Sequence, residues 1–385
     1  MDNKDIKLLW QGPGKDGSGY SSVMRTYVYW FNKFGYNINV NNISYNSDKY
    51  NFIEQEEEEL LTKLQVENLK TFKLADHIFI NHATPDILFR LPQAKKAISY
   101  SVWETSNITK EAGNRCNEMD YIITASEFSK AAFLFGGVKV PIHVVPHIVT
   151  KKNLDDDKYF DDKLNRLHNK LTFLSIFEWH LGKGYDVLIK GFIEAFKDNP
   201  DVQLILKVNS FINQKYLKNE VINYIKSIKG DLKYPTIIPI CNPVKTNLIY
   251  ALYRYCDIYV TCTRREAFGL TIADAIVHEL PVIVPNKGGH RAYCNYIESV
   301  IPFKVDWKEI TEKDVEKQRR NYVGQSWMEP DLDHFIKVLR VVGESWKDID
   351  KEDRKVLREG SIKLRKMLHP TTIMKQFNNI FKESL

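Results

Sequence analysis

Short apolar runs alternate with amphipathic stretches along most of the chain, and the two kinds of run predict different elements. IKLLW (6–10) reads as a strand, followed by a glycine-rich loop and the amphipathic SSVMRTYVYWFNKF. NINVNNIS reads as a strand and EQEEEELLTKL as an acidic helix start, and the strands HIFIN, AISYSV, YIITAS and IHVVPH follow. Such alternation implies a parallel sheet covered by helices on both faces. The glutamate run 56–59 reads as a solvated helix face.

The pattern breaks at residues 151–170, which are charged and lack apolar periodicity, as a linker would be. It restarts with LTFLSIF, YDVLIKGFIEAF, VQLILKV, a helix near 215–228, TIIPIC, NLIYALYRY, IYVTCT, a helix from Gly269, and VIVP. From about Glu329 the chain reads as successive helices broken at Pro370. The expected organisation is an N-terminal domain over 1–150, a linker over 151–170, a second domain over 171–368 and a C-terminal helix over 369–385. Both domains read as α/β, doubly wound and Rossmann-like. Two open sheets facing across a cleft bind ligands at the carboxyl ends of their strands.

Composition agrees: 385 residues exceed one ordinary core, and 43% hydrophobic with 27% charged residues fits a folded, soluble protein. MDNKDIKLLW does not read as a signal peptide, and no apolar run nears the ~18 residues of a spanning helix. A cytoplasmic protein is expected. Cys116, Cys241, Cys256, Cys262 and Cys294 form no CxxC pair, which reads as buried, reduced thiols rather than a zinc site. The net charge of +6 falls in the second part of the chain, since residues 1–150 are near neutral. That suits an anionic small ligand or an anionic surface. The cations are scattered without interleaved aromatics, so nucleic acid is not expected as a partner.

The stretch TRREAFGLTIADAIVHELPVIVPNKGG (263–289) concentrates candidate chemistry. Gly269 permits close backbone approach, and the amides of Phe268, Gly269, Leu270 and Thr271 would leave the helix start, where the dipole favours an anion. Glu266 precedes that helix, and Asp274 lies inside it, roughly 8 Å along the axis at ~1.5 Å per residue. Carboxylates accept from vicinal hydroxyls and amides suit phosphate, so a sugar, a diphosphate and a ribose laid in line would match. A capped helix with a solvated Asp274 fits the same segment. Lys183, in WHLGKGYDVLIKGF, and Lys207, in VQLILKVNS, fall at carboxyl edges of the same predicted sheet. Each is a point charge for a diphosphate or a surface lysine. LLWQGPGKDGSGYSS (8–22), with Gly17 and Gly19, is a strand, a glycine-rich turn and a helix start. It lacks the phosphate-loop and dinucleotide fingerprints, so a plain turn fits it as well.

Together, KG, LILK, TRREAFGLTIADA and ELPVIVPNKGG resemble the retaining glycosyltransferases of family 4, which have the GT-B fold. The resemblance extends to the glycine-rich loop, YIITASEFSK and IHVVPH, where such enzymes often have asparagine-glycine in place of His147-Ile148. It implies that Glu266 binds donor-sugar hydroxyls, Asp274 the ribose hydroxyls, and Lys183 the leaving diphosphate. Thr263, Arg264, Ala267, Phe268, Gly269, Leu270 and Thr271 would line the donor, with Gly17 and Gly19 opposite. It implies for His82, in FINHATPD, a hydrogen bond to a donor hydroxyl or custody of a proton, where a satisfied loop histidine is the rival reading. Two departures stand out. Asp274 replaces the usual second glutamate, and FEWHLGKG has Glu178 and no arginine before the lysine, leaving Lys207, Arg264 or Arg265 to supply phosphate charge.

The implied reaction is transfer from a nucleotide diphosphate sugar, UDP- or GDP-linked, to an acceptor hydroxyl with retention. No carboxylate stands out as a nucleophile, so same-face attack assisted by the leaving phosphate is expected. No cofactor or metal is expected: DDD (155–157) lies in the linker and reads as solvated charge. Trp103 and Glu104, in SVWETSNIT, are candidates for holding a glycan, glycolipid or protein acceptor, and packing of Trp103 is the equal rival. KEDRKVLREGSIKLRK (351–366) offers cations for a peripheral membrane contact, but its acids make a solvated helix the alternative. The competing activities are a phosphorylase or an inverting transferase on the same architecture, a catalytically impaired sugar-nucleotide-binding subunit, and a dehydrogenase.

Overall fold

The computed structural model describes residues 3–43, 53–151, 169–210, 214–346 and 351–384. Most of the expected linker, with its DDD at 155–157, lies outside the described residues. The chain divides into two compact units, Met1–Val149 with Lys366–Leu385, and Thr150–Arg365.

In the first unit the described strands are β1 (Lys7–Gly12), β2 (Asn37–Asn42), β3 (His77–His82), β4 (Lys96–Tyr100), β5 (Tyr121–Thr124) and β6 (Ile142–Val144). They form one sheet in the order β2-β1-β3-β4-β5-β6, parallel throughout. Leu8, Leu9 and Trp10 are fully buried, as expected of a strand covered on both faces. Helix Gly19–Lys33 starts where the Ser18 hydroxyl accepts from the Ser21 amide, and it buries Val23, Met24, Tyr27, Val28 and Phe31. The tail helix Pro370–Ser384 belongs to this unit. Phe377 lies edge-on to Tyr27 and Phe31, with centroids 5.2 and 5.1 Å away.

In the second unit the described sheet contains β7 (Leu171–Glu178), β8 (Val202–Asn209), β9 (Thr236–Ile240), β10 (Ile258–Val260), β11 (Val282–Pro285) and β12 (Val300–Phe303). Its order is β12-β11-β10-β7-β8-β9, again parallel. Strand order reverses between β7 and β10, and in the first unit between β1 and β3. Ligands of open parallel sheets bind outside the carboxyl ends at such reversals. β10 ends at Val260, three residues before the expected Thr263, which frees residues 261–269 to build a loop.

One element was not anticipated. β13 (Val305–Glu309) and β14 (Ser326–Pro330) form an antiparallel pair outside the doubly wound sheet, joined through a short helical turn at Lys317–Tyr322. Helix Leu332–Ser345 follows, capped by the Asp331 side chain.

Candidate functional site

Two glycine-capped helix starts lie at the strand-order reversal of the second unit. After β7 the chain turns through Leu181–Lys183, and Gly184, at φ 68°, caps helix Tyr185–Ala195. A Cβ on Gly184 would lie 1.9 Å from the Cys262 carbonyl oxygen, so only glycine lets this turn pass the end of β10. After β10, Gly269, at φ 87°, caps helix Leu270–Val277, and its carbonyl accepts from the Tyr293 hydroxyl at 2.7 Å. The loops are stitched together where the Gly182 carbonyl accepts from the Arg264 and Arg265 amides.

Across this seam the Lys183 ammonium lies 3.3 Å from Glu266 Oε2 and donates to the Arg265 carbonyl at 3.2 Å. Glu266 Oε1 accepts from the Phe268 amide at 3.4 Å. Both side chains are partly exposed, at 16% and 18%, so the pair is open to exchange with a ligand. The Glu266 carbonyl accepts from the Gly289 amide, and a Cβ on Gly289 would fall 1.7 Å from the Ala267 oxygen. The second glycine of the NKGG turn therefore sets the loop that carries Glu266.

The neighbouring candidates divide. Arg264, a candidate for holding the donor, turns its guanidinium to protein partners. Its guanidinium has five N–H donors, and it donates to both oxygens of Asp186, both of Glu329 and the Leu181 carbonyl, at 2.6–2.8 Å. Burial disfavours its charge, but the hydrogen bonds it donates to Asp186 and Glu329 outweigh that and hold it ionised. Arg265 is buried, its guanidinium 3.9 Å from the Tyr322 ring centre and 3.3 Å from His180 Nδ1. Burial, then Arg265, Arg319 and Lys183, keep His180 far below its ordinary pKa, hence neutral.

Lys207 is buried in β8, with its ammonium on the Val208 carbonyl and its pKa pulled down to about 8 by burial. The Thr263 hydroxyl donates to the Arg265 carbonyl, and the Thr271 hydroxyl accepts from Tyr259, so both side chains shape the loop. Ala267 and Phe268 are buried, Phe268 against Tyr293. Asp274 is half-buried; its charge is among the influences on Tyr253, Tyr259 and Tyr293, whose hydroxyls burial holds protonated. Sequence reasoning passed over these tyrosines, Asp186 and Glu329. The only available signal was Asp186, an acid in a first helical turn.

In the first unit His82 ends β3. It is buried, and its Nδ1 accepts from Trp10 Nε1 at 3.2 Å. Indole nitrogen only donates, so the neutral ring carries its proton on Nε2. Burial lowers the pKa to about 3, with His147 adding to the effect. His82 is therefore a hydrogen-bond donor through Nε2 and not a group that titrates near neutrality. Gly12 fits beside it because a Cβ there would lie 2.8 Å from the His82 carbonyl oxygen. In the glycine-rich turn, Arg25 donates to the Gly14 and Asp16 carbonyls and pairs with Glu57, while Gly17 precedes the cap and Gly19 opens the helix. Trp103 does not offer a face for stacking on a sugar. It is 2% exposed, and Nε1 donates to the Asn107 carbonyl at 2.8 Å, so packing claims the ring. Glu104 beside it is half-buried.

All cysteines named above are buried and free. Among the described residues no group of three or more His, Cys, Asp or Glu is arranged to hold a metal ion, and no helix is long and apolar enough to cross a membrane.

Residues 156–313 match the sequence family described as Glycosyl transferases group 1. Mannosylfructose-phosphate synthase of Agrobacterium fabrum is 25% identical over 163 residues, 40% of this chain and 35% of that protein. An uncharacterized protein, 356, of Sulfolobus islandicus rod-shaped virus 1 is 25% identical over 206 residues, 51% of this chain and 53% of its own. The chain thus matches between about a third and a half of the length of these curated relatives. In fold it is similar to HepE of Anabaena, solved in complex with UDP-glucose, with a TM-score of 0.65 at 14% identity over 98% of this chain and all of that one.

Proposed function

We propose, from the premise that residues 156–313 are a group 1 glycosyl transferase domain within a GT-B fold, that the protein moves a sugar from a nucleotide diphosphate sugar to an acceptor hydroxyl. The observation that carries this reading is the Lys183–Glu266 pair beside the Gly269-capped helix start, at the reversal between β7 and β10. A diphosphate arriving there exchanges Glu266 for phosphate as the partner of Lys183, and the amides of Gly269, Leu270 and Thr271 add dipole stabilisation. Glu266, released, accepts from sugar hydroxyls, and Asp274 from the ribose.

The bond between the anomeric carbon and the diphosphate oxygen breaks with its electron pair going to the diphosphate. Lys183 and the helix-start amides stabilise that charge. The acceptor oxygen attacks from the same face and passes its proton to a leaving phosphate oxygen, so the anomeric configuration is retained. No metal or cofactor enters this scheme. UDP-glucose is the first donor to try, because HepE binds it and shares the fold. The name of the Agrobacterium relative favours a carbohydrate acceptor.

The test is incubation with UDP-, GDP-, ADP- and dTDP-sugars and small carbohydrate acceptors, following nucleoside diphosphate release and the anomeric proton of the product. Release with an α-product from an α-donor supports the reading. An inverted product removes the same-face step, and absence of turnover with every donor removes the activity.

A further inference from the structure

The Lys317–Tyr322 turn of the β13–β14 insert reaches the loop of the Lys183–Glu266 seam through the Tyr322 side chain. The Tyr322 ring centre lies 3.9 Å from the Arg265 guanidinium carbon, a desolvated cation–π contact. That guanidinium packs on Gly182, where a Cβ would lie 2.3 Å from Arg265 Nε. The backbone of Arg265 in turn touches the site directly, since its carbonyl accepts from Lys183 Nζ at 3.2 Å and from Thr263 Oγ1 at 2.7 Å. The next residue is Glu266. The insert is fastened at both sides of this contact. Arg319 pairs with Glu178, the last residue of β7, and Glu329 of β14 takes two N–H groups of Arg264 while the Met328 amide donates to the Arg264 carbonyl.

We infer that Tyr322 is a positioning residue for donor binding: by clamping Arg265 against Gly182 it fixes the carbonyl that orients Lys183. The inference rests on the reading that this seam holds a nucleotide diphosphate sugar. It assigns a function to the insert, which the doubly wound sheet does not need for its own pairing.

The contact depends on an aromatic face, so ring and hydroxyl are separable. Tyr322→Phe should bind UDP-glucose, or whichever donor the wild type binds, as tightly as the wild type. Tyr322→Leu should bind roughly tenfold more weakly and raise KM for that donor with little change in kcat, the size expected from losing one desolvated cation–π contact. Gly182→Ala, which displaces the guanidinium, should weaken binding in the wild type but have no further effect in an Arg265→Ala background. Denaturation of each variant without donor separates this from a general loss of folding, because a merely structural role would lower stability and leave the donor affinity of the folded fraction unchanged. Equal donor affinity of wild type and Tyr322→Leu would overturn the inference while leaving the proposed function standing. A wild type that binds no nucleotide sugar would overturn both.

Discussion

The ammonium of Lys183 and the carboxylate of Glu266 lie 3.3 Å apart, although 82 residues separate them in the chain. Each leaves a different strand at the reversal of the second sheet, and a glycine in the left-handed region caps the helix that follows each loop. If the pair is the resting form of a diphosphate site, removing the lysine should affect transfer far more than folding. Lys183→Ala is expected to lower kcat/KM by roughly 100-fold or more, the size of a lost preorganised donor to developing charge. Steady-state kinetics beside a urea titration checks both halves of that statement.

Arg264 should behave in the opposite way. Its five donors serve Asp186, Glu329 and Leu181, so Arg264→Ala empties a buried guanidinium site, strips Asp186 of its cation and leaves Glu329 with Lys308 alone. The expected loss of stability is about 3–5 kcal/mol, read from the urea midpoint. A variant of native stability but lost donor affinity would mean that Arg264 serves the ligand after all.

These adjacent arginines mark the limit of what was legible in the chain. Glycines at 184, 269 and 289 could be read as punctuation after strands, and the alternation of runs predicted both parallel sheets. That both arginines turn inward could not be read, because the partners of Arg264 lie at positions 186 and 329 and those of Arg265 at 180 and 322. The β13–β14 insert escaped notice for a related reason. Its strands are five residues each, and Glu329 and Lys308 find partners in Arg264 and Asp314, outside the two strands, so neither run carries a clear alternation of its own. Trp103 was equally ambiguous. An aromatic after a strand fits a sugar platform or a core plug, and only the carbonyl of Asn107, four residues on, decides for the plug.

The close approach of the two loops predicts a contrast between glycines. Gly184 and Gly137 both adopt positive φ, 68° and 84°, but a Cβ meets the Cys262 oxygen at 1.9 Å in the first case and nothing within 4 Å in the second. Gly137→Ala should cost about 1 kcal/mol, the backbone strain alone. Gly184→Ala should cost clearly more, because the end of β10 must also move. Equal losses in chemical denaturation would show that the turn has slack.

Buried histidines set the acid side of the stability profile. Burial lowers His82 and His147 to about 3 and His290 to about 4, against ordinary values near 6.5 in the unfolded chain. Below pH 6.5 the unfolded chain takes up protons that the folded one does not, so stability is full above that pH and falls toward pH 3–4. Each group adds a slope of up to about 1.4 kcal/mol per pH unit. Urea titrations between pH 7 and 4 should show this decline, and His82→Gln should reduce its slope. A pH-independent midpoint across that range would contradict it.

The most direct test of the central claim is calorimetric titration of the nucleotide sugar that gives turnover, UDP-glucose first, into the wild type, Lys183→Ala and Glu266→Ala. The account predicts one site in the wild type and binding weakened at least tenfold in each variant, with folding intact. Undiminished binding in both variants would place the donor somewhere other than the seam between β7 and β10.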